Sequence, residues 1–256
     1  MGLPITYFPY NDSGTVRYRS LPIATITLIL VNVAVHTVLR PDFNLDPIGV
    51  YAKWRIYGSV PDHFESAWGV PGFSAISAMF LHGDLLHLLF NMVALWTFGK
   101  RVEDACGPLR FAAFYLMAGL MGSWLTTIAH TLGFTPEGDI TGIGASGAIS
   151  GVMGAYLLLF PGTRVSGFFF VTAIPIPGAG TFFCFIPIPY RVRLPALVYL
   201  GYFLALQLYY TYLTVTEDIN FGIGFLAHLG GFFSGLLIFL YIRKDVFFRY
   251  WTKADL

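Results

Sequence analysis

Apolar residues run along this chain in long blocks, and the blocks are apolar nearly all round rather than along one stripe. Such helices suit a hydrocarbon surrounding, because a helix at a water boundary keeps a polar face. A bilayer core takes about 20 apolar residues to cross. Six segments are read as spans: 21–39, 84–98 extended back through 73–81, 109–132, 145–160, 194–214 and 221–242. The expected fold is therefore all-α, a polytopic membrane helical bundle of six transmembrane helices. Residues 21–244 form its membrane domain, between a short tail at 1–20 and a second tail at 245–256.

One further apolar stretch is read differently. No charge falls between Arg164 and Arg191, yet Pro175, Pro177, Pro187 and Pro189 interrupt the stretch, with Gly167, Gly178 and Gly180. Proline removes backbone donors, and an unpaired polar group in lipid costs several kcal/mol. The runs 168–172 and 181–186, on either side of 177–180, read as a β-hairpin lying at the interface between the fourth and fifth helices.

Charge tests the count. With six spans and the first tail inside, only Arg40, Lys53 and Arg55 of the fifteen Lys and Arg fall outside, and twelve lie on the cytoplasmic side. That asymmetry is the positive-inside pattern, and a seventh span would reverse it at 243–253. Both tails are expected in the cytoplasm of a cell whose plasma (inner) membrane holds the bundle. Arg17 and Arg19 stand directly before the first apolar run, and the first twenty residues do not read as a cleavable signal peptide.

Composition agrees with this reading. Of 256 residues, 56% are hydrophobic, 18% aromatic and only 11% charged, against about a quarter charged in ordinary soluble domains. Six buried helices of a soluble protein would leave too few polar residues to clothe them. A net charge of +1 argues against nucleic acid as a partner. Cys106 and Cys184 lack metal spacing and fall in cytoplasmic segments, so free thiols are expected.

Polar groups inside spans are functional candidates by default. The second span holds His82, Asp84, His87 and Asn91; the fourth opens on Gly144, Ala145, Ser146 and Gly147; the sixth holds His228, Gly230 and Gly231. Counted from the cytoplasmic ends at about 1.5 Å per residue, Ser146 and His228 each lie roughly 22 Å deep and His87 roughly 20 Å. Separate segments thus deliver a serine, two histidines and an amide to one layer. Gly147, Gly151 and Gly154 on the fourth span, with Gly231 and Gly235 on the sixth, let two backbones approach closely. Contact between these helices would bring Ser146 within reach of His228, the base a serine needs to attack a carbonyl. Oxyanion donors could be the Ser146 N–H, the His87 ring and the Asn91 amide. His87 and Asn91, four apart, share a helical face. His82 and Asp84 are read as organising the neighbouring loop, and Glu103 as anchoring the cytoplasmic end of the second helix. His36, His63 and His130 have no assigned role.

The run from Phe80 through His82, His87 and Asn91, then 99–103, then 144–147 and 227–231, resembles the rhomboid family of intramembrane serine proteases. The likeness extends from about Ile76 to Ile242, in the family's order. It implies a Ser146–His228 dyad without an acidic third member, with His87 and Asn91 assisting the oxyanion. Gly144, Gly147, His82 and Gly231 would shape the site. It further implies gating of substrate entry by an external loop and the fifth helix. Substrates would be transmembrane-helix proteins cut near the external membrane face, with no cofactor. The sequence departs from many members at Phe73 and Ser74, where they carry Trp-Arg, and at Ser150, where some place a tyrosine under the imidazole. Trp54-Arg55 stands much earlier in the chain and is not taken as equivalent.

Other readings have distinct signatures. A zinc enzyme using His82, His87 and His228 would be chelator-sensitive, but His-x4-His does not share a helical face and His-Glu-x-x-His is absent. An inactive relative binding transmembrane clients would characteristically lack the serine or the histidine. A transporter built from repeats would show paired broken helices in repeated halves, and no such repeat is seen in the sequence.

Overall fold

A computed structural model describes residues 5–12, 21–39, 46–60, 73–134, 142–176, 180–217 and 222–242. Side chains from 169 to 190, Cys184 among them, lie outside that description. The chain is predominantly helical. In order come β1 (Ile5–Asp12), α1 (Ile23–Leu39), α2 (Pro47–Tyr57), α3 (Phe73–Ala78), α4 (Leu85–Ala94), α5 (Lys100–Cys106), α6 (Pro108–Thr131), α7 (Ser146–Leu159), β2 (Arg164–Ile176), β3 (Gly180–Pro195), α8 (Ala196–Thr216) and α9 (Phe225–Ile242).

Helices α6 and α8 are each long and apolar enough to cross a bilayer; α1, α7 and α9 are shorter apolar helices. The outward faces of α1, α6, α8 and α9 are hydrocarbon: Leu30, Leu109, Ile128, Leu197, Leu208 and Leu237 are all exposed. The core between them is aromatic, with Phe98, Phe111, Phe114, Tyr115, Tyr156, Phe232 and Phe239 fully buried.

The second apolar block is not one helix. α3 ends at Ala78, and a new helix starts after Asp84, whose side chain accepts from the His87 N–H at 2.8 Å and caps α4. From Leu85 the helix continues through a π-helical turn (Leu95–Gly99) into α5, well past the expected end at Phe98. The charged residues beyond Phe98 belong inside the fold because they bind other elements. Glu103, fully buried, accepts from the Ala24 and Thr25 N–H groups at 2.9 and 2.8 Å and from the Thr25 hydroxyl at 2.7 Å. It thus caps the start of α1, where a carboxylate is favoured. Cys106 is buried as a thiol near the end of this run.

The proline-rich segment is a hairpin, longer at both ends than the hydropathy pattern suggested, and it has a third strand. The order is β1-β2-β3, all antiparallel, with Ile5 opposite Val171 and Arg164 opposite Pro195. The expected tail thus supplies a strand in its Ile5–Asp12 stretch, and the all-α expectation is corrected to helices plus this sheet. Proline placement explains why the sheet tolerates so many. Pro9, Pro187 and Pro189 lie on the outer strands and Pro175 lies near the end of the central one, where missing donors do least harm. The register shift between Pro9 and Asn11 marks a bulge at the first of them.

Asp12 ties the sheet to the bundle. Its Oδ2 accepts from Arg101 Nε at 2.8 Å and from the Tyr156 hydroxyl at 2.9 Å, in an ion pair with Arg101 only 6% exposed. Beside it Lys100 Nζ donates to Asn11 Oδ1 at 3.0 Å. Removing one side of a buried ion pair is strongly destabilising, so Asp12→Ala is expected to cost about 3–5 kcal/mol. Thermal unfolding in detergent checks this; an unchanged midpoint would mean that the network contributes nothing.

Candidate active site

α7 begins at Ser146, and its first-turn N–H groups have no acceptors in the preceding turn. Ala145, the residue before, offers no side-chain cap. The positive end of the helix and its unpaired donors therefore face the space around the serine. That space is a cleft of about 450 Å³ lined by Asp84, His87, Gly144, Ser146, Thr127, Thr211 and Ala227, among others. Trp54, from α2, also lines it. The Ser59–Gly142 bridge, with N–H···O distances of 2.9 and 2.7 Å, pins the first loop to the segment entering α7.

Glycines bring α7 and α9 backbone to backbone. A Cβ on Gly231 would overlap the Gly147 carbonyl, one on Gly235 would overlap Gly151, and one on Gly154 would overlap the Phe232 carbonyl. This contact sets Ser146 against α9. Ser146 Oγ lies 2.8 Å from His228 Nε2. The other ring nitrogen, Nδ1, lies 2.8 Å from Gln207 Oε1 on α8. Phe203 and Phe225 flank the imidazole, with ring centroids 6.3 and 6.4 Å away. Ser150 is buried one turn below Ser146.

The remaining polar groups converge from α4. His87 Nδ1 accepts from the Gly83 N–H at 3.4 Å, which leaves Nε2 as the protonated nitrogen and a donor. Gly144, at φ +118°, lies so close that a Cβ there would come within 2.8 Å of His87 Nε2; this positive φ also favours glycine. Asn91 is buried, and its Nδ2 donates to the His87 carbonyl at 3.1 Å, leaving one amide proton for another acceptor. His82 is buried edge-on to His87 at 5.0 Å between ring centroids. His36 and His130 lie apart from the serine on α1 and α6, and His63 lies outside the described residues.

Chemically, a hydroxyl against an imidazole nitrogen beside several N–H donors is the equipment of acyl transfer. The structure thus brings Ser146, His228, His87, Asn91, Gly144, Gly147 and Gly231 together. It adds Gln207, which the sequence reading passed over. A strongly polar side chain in the middle of the fifth apolar block was the available signal.

A model of the Rhomboid domain matches residues 71–245, well over half of the chain. This protein belongs to the rhomboid family. Rhomboids are integral membrane proteins, and the apolar outer faces of this one's helices accord with that. Among curated relatives, the putative rhomboid protease YdcA of Bacillus subtilis is 34% identical over 124 residues, 44% of this chain and 59% of its own. The rhomboid protease GluP of the same organism is 40% identical over 82 residues, 32% of this chain and 15% of its own. RHOMBOID-like protein 12, mitochondrial, of Arabidopsis thaliana is 27% identical over 219 residues, 78% of this chain and 56% of its own. This rhomboid therefore spans between 15% and 59% of the length of these relatives.

Proposed function

We propose that this rhomboid is an intramembrane serine endopeptidase, hydrolysing peptide bonds in or near the transmembrane segments of membrane-protein substrates. The observation that carries the reading is the 2.8 Å contact between Ser146 Oγ and His228 Nε2 at a cleft. The relative named rhomboid protease GluP supports the reaction class.

In this reading Ser146 Oγ attacks the carbonyl carbon of a locally unwound substrate segment while His228 Nε2 takes the hydroxyl proton. The oxyanion is met by the first-turn N–H groups of α7, His87 Nε2–H and the second amide proton of Asn91. On collapse the C–N bond breaks, His228 returns its proton to the leaving amine, and an ester to Ser146 remains. Water, entering through the cleft, then attacks the ester with His228 again as base, releasing the acid and restoring the serine.

The membrane reading takes α1, the run from Leu85 to Cys106, α6, α7, α8 and α9 as six spans. The second of these is roughly 33 Å long at about 1.5 Å per residue, enough for a core of about 30 Å. The excess of Lys and Arg at one end supports cytoplasmic placement of 1–20 and 243–256 in a plasma (inner) membrane, with the β-sheet on that side. The cleft then opens to the external side, where water reaches the acyl-enzyme.

A fluorophosphonate probe tests the nucleophile without knowledge of the substrate. Purified protein in detergent is expected to carry the probe on Ser146 when mapped by mass spectrometry, with no label on the His228→Ala variant. Equal labelling of wild type and His228→Ala would remove the base from the mechanism.

A further inference from the structure

α8 is seated at its start, where Ala196, Tyr199 and Leu200 are buried. Beyond Leu200 the one buried residue of this helix is Gln207, 7% exposed, while Leu208, Tyr209 and Tyr212 around it face outward. A buried amide in an apolar bundle is unfavourable unless it is hydrogen-bonded. Gln207 meets that need at His228, with Oε1 2.8 Å from Nδ1.

The contact has a chemical consequence. An amide oxygen only accepts, so the bond requires the proton of the neutral imidazole to sit on Nδ1. Nε2 then presents its lone pair to the Ser146 hydroxyl at 2.8 Å. With the other tautomer, Nε2–H would point at the serine and no base would be available. The rings flanking the imidazole, Phe203 and Phe225, offer no competing acceptor.

We infer that Gln207 is a positioning residue, completing a Ser146–His228–Gln207 triad whose third member is a neutral amide holding His228 in the Nδ1–H tautomer. The inference rests on the protease reading. Because Gln207 is carried by α8, and the serine and histidine by α7 and α9, orientation of the base depends on where α8 sits. Withdrawal of its outer half would leave Nδ1 without its acceptor.

The test compares wild type, Gln207→Leu and Gln207→Glu, full-length in detergent, by three readouts. These are fluorophosphonate labelling rate at Ser146, kcat and KM on a single-span reporter, and the 15N spectrum of His228, assigned by its loss in His228→Ala. Wild type is expected to show Nδ1 protonated and Nε2 bare. Gln207→Leu is expected to lose about 10²-fold in labelling rate and in kcat, with KM unchanged, a loss smaller than for a charged third member. Gln207→Glu keeps the acceptor and is expected within about tenfold of wild type.

Wild-type rates in Gln207→Leu, or the Nε2–H tautomer in wild type, would overturn the inference and leave the protease reading standing. Gln207→Glu as slow as Gln207→Leu would overturn it too. If wild type neither labels nor cuts, the protease reading fails, and the 15N spectra of wild type and Gln207→Leu still decide what Gln207 does. If Gln207→Leu does not fold, the wild-type spectrum and Gln207→Glu decide it.

Discussion

Ser146→Ala, His228→Ala and the double variant are each expected to lower kcat/KM on a single-span reporter by about 10³- to 10⁶-fold, and by similar amounts. The two groups act as one unit, since a serine without its base and a base without its serine both leave only the oxyanion donors and substrate binding. Their 2.8 Å contact is what makes the non-additivity a sharp expectation. If the losses instead multiplied in the double variant, the two residues would be acting independently and the dyad would be the wrong description. Both side chains are only partly buried, so Ser146→Ala is expected to stay within about 1 kcal/mol of wild-type stability. His228→Ala, which strips the buried Gln207 amide of its partner, is expected to lose about 1–3 kcal/mol and to stay folded. Loss of rate with the fold intact separates a chemical role from a packing role.

Gly231→Val is expected to produce the largest structural effect. The first carbon of any side chain at this position would overlap the Gly147 carbonyl oxygen, which is backbone and cannot swing aside. α7 and α9 would have to separate, at a cost of about 3 kcal/mol or more. Activity would fall further than stability alone dictates, because a shift of about 1 Å between reacting groups can lower rate about 10²-fold. Gly201→Ala is the control: nothing lies within 4 Å of its added Cβ. Inside α8 it is expected to gain about 0.5–1 kcal/mol from helix propensity. Unfolding midpoints in detergent check both; equal effects from the two substitutions would remove the close α7–α9 approach from the account.

The meeting of Ser146 with His228 was legible in the sequence because two independent cues agree. Depth counted along a regular helix puts both in one layer, and glycines spaced for close packing say which helices touch. The hairpin was legible from its prolines. Other features were not, for identifiable reasons. α8 is apolar on every side, so no stripe reveals which face turns inward, and the partner of Gln207 depends on that rotation. β1 pairs with residues about 160 positions away, a distance at which strand pattern alone names no partner. The break before α4 hides in an apolar stretch, where the signal is local: Asp84 following Gly83 as a helix cap. The continuation into α5 was obscured by Lys100, Arg101, Glu103 and Asp104, whose charges end the apolar run at Phe98. Arg101 and Glu103 are buried against β1 and α1.

Whether Ser146 cuts membrane-embedded substrates is decided by the fate of a single-span reporter reconstituted with purified protein in liposomes. Wild type is expected to cleave it at a bond in or beside the span, located by mass spectrometry, and Ser146→Ala to leave it intact. Cleavage by Ser146→Ala at the wild-type rate and position would rule out Ser146 as the nucleophile.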